Sequence, residues 1–333
     1  MWYARREPTA ELRTRADNVY RFVVNHFRDP TDGEFHFRVS REGKVKDPKK
    51  QLYAQSFAIL ALSQYASTFG VATAREYALQ CFHSIDRRSH DAQFFGYDQA
   101  HDPGWLGPQA QKETNTHIHL LESFTALYRA TSDPLVRSRL DELVTVVSTN
   151  IVQPSGYTHK EFRRNFTPVG EPVVSYGHDI ETSWLLDDSL DALQRSGDAR
   201  VTSALIRLGA HAATAGWDQD HGGYFEEGAL SGTPTRLDKV WWVQAEAMAG
   251  LWRLFELTAD PEYVARLEQT VSFVEDHMRD AEYGEWYGQL TPDGGLRWPP
   301  GDDKGWEWKA SYHNVRALVL TSDLIARHLG ERG

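Results

Sequence analysis

Cysteine and long apolar runs are scarce in this sequence of 333 residues. The single cysteine, Cys81, cannot form an intramolecular disulfide, and its apolar surroundings suit an inert thiol. No run of 18 apolar residues is present, which excludes an ordinary transmembrane helix. The stretch from Met1 to Leu12 also lacks the apolar core of a secretory signal. We therefore expect a cytoplasmic protein with no membrane partner.

Positive charge is in short supply as well, with 36 Lys and Arg against 47 Asp and Glu and a net charge of −11. Phosphate binding needs a basic surface, so we expect no nucleic-acid partner. Neither a P-loop, nor a G-x-G-x-x-G turn after a strand, nor a G-x-S-x-G elbow occurs, so nucleotide and acyl-transfer chemistry lack support. Aromatic residues, in contrast, are plentiful: they make up 12% of the chain and include 11 Trp. They suit both a packed helical core and a cleft that stacks on sugars.

A short segment that combines glycine with aromatic residues recurs along the chain about every sixty residues. Its glycines are Gly33, Gly96, Gly156, Gly223 and Gly284, which are 63, 60, 67 and 61 residues apart. Glycine permits the positive φ of a tight turn, and the aromatic residues that follow it favour a short strand. We therefore predict a repeated unit with a hairpin-like segment in each repeat.

Helical patterns of two kinds fill the space between these segments. One set is apolar on nearly all sides and predicts inner helices, at Gln51–Tyr65, Thr116–Tyr128, Ile180–Leu193, Trp241–Leu257 and Val315–Leu329. The other set is amphipathic and predicts outer helices, at Ala10–Phe27, Ala72–Asp86, Pro134–Thr149, Ala199–Ala213 and Pro261–Met278. Alternating inner and outer helices predict an all-α toroid that forms one domain over residues 1–333, with short β-hairpin segments at the mouth of its cavity.

Polar residues cluster where the apolar helices begin. His119 and Glu122, and likewise His178 and Glu181, are three residues apart and can lie on one helix face. A carboxylate beside an imidazole fixes its tautomer and raises its basicity, which suits acid/base catalysis. His117 and His119 are two residues apart and cannot share a helix face, so we expect no metal site.

Two catalytic chemistries remain open from the residues alone. A histidine pair suits abstraction of a proton from a carbon next to a carbonyl group. A pair of carboxylates would instead suit glycoside hydrolysis. The candidates for that pair are Asp179, Glu181, Asp187, Asp188 and Glu246.

Four stretches of these clusters together resemble the N-acylglucosamine 2-epimerase superfamily, and its cellobiose and mannose 2-epimerase branch most closely. They are Asn115–Glu122, Ser175–Leu186, Lys239–Ala247 and Trp308–His313. The resemblance implies an (α/α)6 toroid without a required cofactor. It also implies an isomerase that interconverts aldoses at C2, for a glucose/mannose unit that is free or at the reducing end of a disaccharide such as cellobiose. We expect a monomer or homodimer whose partner is this small-molecule sugar.

The same resemblance implies roles for individual residues. His178 and His313 correspond to the two acid/base histidines that pass through a cis-enediol, and Glu181 would orient His178. His119 would assist ring opening. The remaining positions correspond to substrate-binding ones: Asn115, Trp241 and Trp308, with Glu246 as an orienting carboxylate and His36 where relatives often carry a Tyr.

The sequence departs from the family near its beginning. Members of the family carry an arginine in a Q-x-R pattern on their first inner helix, and this arginine has no counterpart here. The first inner helix found in this sequence begins at Lys50-Gln51, and Phe57 stands two places after Gln55, where the pattern requires arginine. Five inner helices are found where six are expected, so the first inner helix is missing and Met1–Glu7 would be its tail. Either the toroid is short, or the natural N-terminus lies upstream of Met1. Besides the epimerase, three functions stay open: an aldose–ketose isomerase, a carboxylate-dependent glycoside hydrolase, and an inactive sugar-binding remnant.

Overall fold

A computed structural model describes residues 2–99, 111–297 and 304–330 of the chain. Eleven α-helices lie in these residues. Their bounds are α1 Trp2–Arg6, α2 Ala10–Phe22, α3 Leu52–Phe69, α4 Ala72–Ser89, α5 Thr114–Thr131, α6 Pro134–Val146, α7 Tyr176–Ala192, α8 Ala199–Ala215, α9 Trp241–Thr258, α10 Pro261–Phe273 and α11 Tyr312–His328.

The alternation of helix types agrees with the pattern in the sequence. Helices α3, α5, α7, α9 and α11 fall on the predicted inner segments, and α2, α4, α6, α8 and α10 fall on the predicted outer ones. The outer helices α2, α6 and α10 each end in a π-helical turn, at Val23–Phe27, Val147–Ile151 and Val274–Met278. Asp133 and Asp260 cap α6 and α10 by accepting backbone N–H groups, and a proline follows each cap. The segment predicted as the tail of a further inner helix contains α1.

Each repeated glycine lies in the turn that its spacing predicts, with φ between 66° and 83°. The turn returns the chain to the end of the preceding outer helix through one antiparallel bridge. These bridges are Arg28–Phe35, His90–Tyr97, Val152–Thr158, Trp217–Tyr224 and Arg279–Trp286. The strands that follow are two or three residues long and pair antiparallel: β1 Arg38–Val39 with β2 Val45–Asp47, β3 Lys112–Glu113 with β4 Glu161–Phe162, β4 with β5 Pro168–Val169, β6 Val174–Ser175 with β7 Glu227–Gly228, β7 with β8 Pro234–Arg236, and β9 Lys239–Val240 with β10 Gln289–Leu290.

One polar side chain near the start of an inner helix holds the bridge in four of the repeats. Gln55 accepts the N–H of Phe35 at 2.8 Å, and Gln244 accepts the N–H of Tyr224 at the same distance. His117 and Asp179 occupy the corresponding places in the second and third repeats. Their partners are the N–H of Tyr97, at 3.1 Å from Nε2 of His117, and the N–H of Thr158, at 2.8 Å from Oδ1 of Asp179.

A lysine–aspartate ion pair holds the turn itself. In four repeats an aspartate accepts backbone N–H from the turn and pairs with a lysine that precedes the next inner helix. The pairs are Asp29–Lys50 at 3.0 Å, Asp91–Lys112 at 3.0 Å, Asp218–Lys239 at 2.7 Å and Asp280–Lys304 at 2.5 Å. The Asp91–Lys112 and Asp218–Lys239 pairs are buried, and buried ion pairs require good hydrogen-bond geometry to offset the loss of hydration.

Two compact units make up the described residues. The first consists of Met1–Ile151, Lys160–Gly170 and Asp188–Asp198, and α3 packs in it against α4 and α5. The second consists of Val152–His159, Glu171–Asp187 and Ala199–Gly333, and α9 packs in it against α8, α10 and α11. The interpretation of residues 1–333 as a single domain stays a prediction.

Candidate active site

The predicted histidine of the third repeat lies at the first turn of α7. Strand β6 ends at Ser175, and α7 begins at Tyr176, which places His178 in the first turn. The Oγ atom of Ser175 lies 2.9 Å from Nδ1 of the partly buried His178 ring. A hydroxyl at this position can fix the orientation of the ring, a role that the sequence interpretation had given to Glu181.

The predicted histidine of the last repeat, His313, lies at the start of α11 and is bound to a carboxylate of α9. Nδ1 of His313 lies 2.6 Å from Oε1 of Glu246. The side chain of Glu246 is completely buried, and its second oxygen accepts a hydrogen bond from Nε1 of Trp184 at 3.0 Å. These contacts are compatible with an orienting carboxylate, and this role of Glu246 stays a prediction.

Both histidines contact the same indole. The ring of Trp242 lies 4.8 Å from that of His178 and 5.7 Å from that of His313, measured between centroids. Gly177 makes the close approach possible, because a Cβ atom built at this position would lie 2.3 Å from Cζ3 of Trp242. The structure thus places the two predicted acid/base residues against one side chain. The sequence analysis did not single out Trp242.

An arginine that the sequence analysis missed lies between the two carboxylates. Nη2 of Arg316 donates to Oε1 of Glu246 at 2.6 Å and to Oε1 of Glu181 at 2.8 Å, and Nη1 donates to the hydroxyl of Tyr312. The guanidinium carbon lies 4.8 Å from the ring centroid of Trp184. A signal was present in the sequence, because Arg316 follows His313 by three residues on one helix, the same spacing that links His178 to Glu181.

The charge state of Glu246 follows from these contacts. Burial by itself raises the pKa of this carboxyl, but the positive charge of Arg316 and the hydrogen bond with His313 outweigh it, so that the pKa is lowered. The ligand atoms of Glu181, Glu246 and His313 lie within 4.8 Å of one another, a spacing that a metal ion can bridge. Since Nη2 of Arg316 already binds both carboxylates there, a divalent cation fits this donor set poorly.

The two tryptophans predicted to bind the sugar, Trp241 and Trp308, are close in sequence to Trp242 and His313. Trp241 is buried, with its ring 6.4 Å from that of His313 and 5.2 Å from that of Trp306. Trp308 is 48% exposed, and its role in stacking on a sugar stays a prediction.

The remaining predicted residues belong to the first unit. His119 lies on α5, with Nδ1 3.5 Å from Oε2 of Glu122 and its ring 4.8 Å from that of Phe57. Asn115, one turn earlier, is partly buried. The side chain of His36 is 15% exposed, and its Nε2 lies 3.9 Å from a carboxylate oxygen of Asp29. The roles of these residues stay predictions.

His117, which the sequence analysis considered only as a metal ligand, is structural. Its Nδ1 lies 2.7 Å from the carbonyl oxygen of Glu113, so Nδ1 carries the proton and Nε2 accepts the N–H of Tyr97. Burial lowers the pKa of His117 to about 4, which matches a neutral ring in this place.

Comparisons with known proteins identify the family of the chain. A sequence profile of the N-acylglucosamine 2-epimerase (GlcNAc 2-epimerase) family matches residues 3–317. The cellobiose 2-epimerase of Bacteroides fragilis is 32% identical over 319 residues, which cover 93% of this chain and 81% of that protein. The human N-acylglucosamine 2-epimerase is 32% identical over 337 residues, which cover 95% and 74% of the two chains.

The chain belongs to the N-acylglucosamine 2-epimerase family.

The solved structure of the cellobiose 2-epimerase from Spirochaeta thermophila superimposes on the chain with a TM-score of 0.90 and 32% identity, covering 98% of this chain and 83% of that one. The prediction of an all-α fold of the (α/α)6-toroid class is therefore confirmed. As a member of the N-acylglucosamine 2-epimerase family the chain is an isomerase, as predicted. Within the residues that the structure describes, every helix is too short or too polar to cross a membrane.

Proposed function

We propose that the chain is an aldose 2-epimerase that acts on a glucose/mannose unit, free or at the reducing end of a disaccharide such as cellobiose. The observation that carries this proposal is the contact of His178 and His313 with the single indole of Trp242. Nδ1 of each ring is committed to a hydrogen bond, with Ser175 in one case and Glu246 in the other. Proton transfer would then use Nε2 of each ring.

The reaction proposed for this pair is a proton exchange at C2 of the open-chain sugar. One histidine takes the C2 proton. The electron pair of the C–H bond forms the C1–C2 double bond, and the carbonyl pair moves onto the C1 oxygen to give a cis-enediolate. The other histidine gives its proton to C2 on the opposite face, and the aldehyde returns with the inverted configuration. The first histidine must be neutral, and the second must carry a proton on Nε2. Imidazole can supply both forms because it ordinarily titrates near neutral pH. His119 keeps its predicted role in opening the sugar ring.

Glycoside hydrolysis fits the same residues less well. The two carboxylates that lie near one another, those of Glu181 and Glu246, are 1% and 0% exposed and both accept from Nη2 of Arg316. A retaining hydrolase needs both carboxyl groups open to the glycosidic bond. Asp179, a third candidate, is bound to the N–H and hydroxyl of Thr158.

Proton NMR of cellobiose, glucose and mannose, each incubated with the protein in deuterated water, tests the proposal. We expect loss of the H2 signal together with the appearance of the C2 epimer. His178→Asn and His313→Asn should each abolish this exchange, and His83→Asn, at an outer-helix histidine, serves as the matched control. A ketose as the product would assign the aldose–ketose isomerase instead, and cleaved cellobiose without exchange would assign the hydrolase. Binding of sugar without any exchange would identify an inactive remnant.

A further inference from the structure

Arg316 links two helices that carry the proposed acid/base machinery. Its Nη2 donates to a carboxylate oxygen of Glu181 on α7 and to one of Glu246 on α9, although Arg316 itself belongs to α11. The side chain is 3% exposed, and the ring of Tyr312 lies 4.2 Å from the guanidinium carbon. An arginine buried among aromatic rings keeps its charge and holds carboxylates in a fixed geometry.

We propose that Arg316 is a positioning residue that keeps Glu246 ionised and thereby sets the tautomer of His313. The inference rests on the proposed function of His313 in proton transfer. Arg316 itself touches no reacting atom in this scheme, because it acts through the carboxylate that it shares with the imidazole.

The charge balance around Glu246 supports this role. Two charged or titratable groups contact Glu246 directly, those of Arg316 and His313 from α11. The guanidinium of Arg316 also contacts Glu181 from α7 and the hydroxyl of Tyr312. A carboxylate that is 0% exposed would become neutral if it had no positive neighbour. The pKa of Glu246 is instead lowered, because Arg316 and His313 more than offset the effect of burial.

An ionised Glu246 determines which nitrogen of the neutral His313 ring carries the proton. A carboxylate only accepts hydrogen bonds, so Nδ1, 2.6 Å from Oε1, must carry the proton. Nε2 then has the lone pair that a base needs. A neutral carboxyl could donate to Nδ1 instead, and the ring would then carry its proton on Nε2, where it is unable to accept one from C2.

The arrangement around the other oxygen gives the carboxylate little freedom to turn. Trp184 donates to Oε2 of Glu246 at 3.0 Å, while Arg316 and His313 both approach Oε1 at 2.6 Å. Each of the two oxygens therefore has its own donors, and the plane of the carboxylate is defined by three side chains.

Selective ¹⁵N labelling of histidine tests the proposal, with the signals of His313 assigned by their loss in His313→Asn. We expect the wild-type ring to carry its proton on Nδ1. Arg316→Gln retains a hydrogen-bond donor but removes the charge, and we expect the proton to move toward Nε2. Arg316→Lys retains the charge and should keep the wild-type tautomer. Arg253→Met is the matched control, because Arg253 also bridges two carboxylates, those of Asp187 and Glu256, outside the cluster.

Exchange at C2 provides a second measurement. Arg316→Gln should lower kcat by roughly 10- to 100-fold with a smaller change in KM, as the loss of an orienting partner does. The defect in Arg316→Gln should deepen as the pH falls. Without the arginine, burial raises the pKa of Glu246, so a larger fraction of this carboxyl is protonated at lower pH. Arg316→Lys should recover most of kcat, and Arg253→Met should leave it unchanged.

A wild-type ring with its proton on Nε2 would overturn the proposal, as would an unchanged Nδ1–H tautomer in folded Arg316→Gln. The wild-type spectrum decides the first point even if Arg316→Gln does not fold. Absence of exchange in the wild-type protein, with the expected tautomers observed, would refute the proposed function and leave the role of Arg316 in place.

Discussion

Asp179 and Glu246 are both fully buried carboxyl groups, but their neighbours give them opposite charge states. The pKa of Glu246 is lowered because a guanidinium and an imidazole lie against it. Asp179 accepts hydrogen bonds from the N–H and hydroxyl of Thr158, and burial raises its pKa to about 7 in spite of these two bonds. A charge next to a carboxylate therefore matters more here than hydrogen bonds from neutral donors.

Asp179→Asn should make the protein less sensitive to rising pH. Because the pKa of Asp179 is higher in the folded chain than its ordinary value of 3.8, its contribution to stability is present in full below pH 3.8 and is lost as the pH rises through 7. At 1.36 kcal/mol per unit, the loss amounts to about 4 kcal/mol. Asparagine keeps the acceptor for Thr158 and does not titrate.

Urea unfolding of both proteins at several pH values between 4 and 8 measures this difference. The free energy of unfolding of the wild type should fall relative to that of Asp179→Asn across the range. Parallel curves for the two proteins would show that Asp179 ionises at an ordinary pH in the folded chain.

At the scale of the elements, the first turn of α7 packs closely against the first turn of α9. Gly177 has no Cβ atom, and Trp242 occupies the space that one would need. Gly177→Ala should displace the indole from its place beside His178. We expect a loss of kcat on the order of 100-fold, as misplacement of a catalytic geometry by about 1 Å causes. Stability should change little, because the higher helix propensity of alanine, about 1 kcal/mol over glycine, offsets the cost of displacing the indole.

Rates of H2 exchange for Gly177→Ala and for a control, Gly197→Ala, test this contact. A Cβ atom at Gly197 would meet no described atom within 4 Å, so this variant should exchange at the wild-type rate. Equal rates in the two variants would mean that the position of Trp242 has no part in catalysis.

The turn that precedes an inner helix depends on its lysine to a degree set by burial. Lys239 is 0% exposed and pairs with Asp218, whereas Lys304 is 23% exposed in its pair with Asp280. Lys239→Met leaves a carboxylate buried without its cation, and we expect a loss of about 3 kcal/mol of stability. Lys304→Met should cost about 1 kcal/mol, because water replaces the cation more easily.

Denaturation by urea at neutral pH, where both aspartates are ionised, compares the two lysine variants directly. The prediction is wrong if Lys304→Met destabilises the protein as much as Lys239→Met does, since exposure would then have no bearing on the cost.

At the scale of the whole molecule, the proposed reaction needs only protein side chains and no metal ion. Because Arg316 binds both Glu181 and Glu246 where a cation would have to lie, removing metal ions should have no effect on exchange. Dialysis against a chelator, followed by the NMR assay with and without added Mg²⁺ and Mn²⁺, checks this expectation. A rate that falls on chelation and returns with one of these ions would assign a metal to the site.

Much of the architecture was predictable from the sequence because it depends on local patterns. The spacing of glycines such as Gly96 and Gly223 predicted the turns, since these positions need a positive φ. Apolar and amphipathic periodicity predicted the helices. Within the site, the motifs singled out His178, His313 and Glu246, and their roles stay predictions.

Other features depend on residues that are far apart in the chain, and only the tertiary structure decided them. Arg316 lies 70 residues from Glu246 and 135 from Glu181, so no local pattern shows that its guanidinium joins them. The partner of His178 on β6 and the shared indole of Trp242 were likewise hidden, because side-chain direction depends on how helices pack. The sequence by itself determined the helices, the turns and the chemical types of the site residues, since each follows from neighbours within a few positions. The tertiary structure decided which of these groups share a charge or a proton, since those interactions depend on distances across the fold.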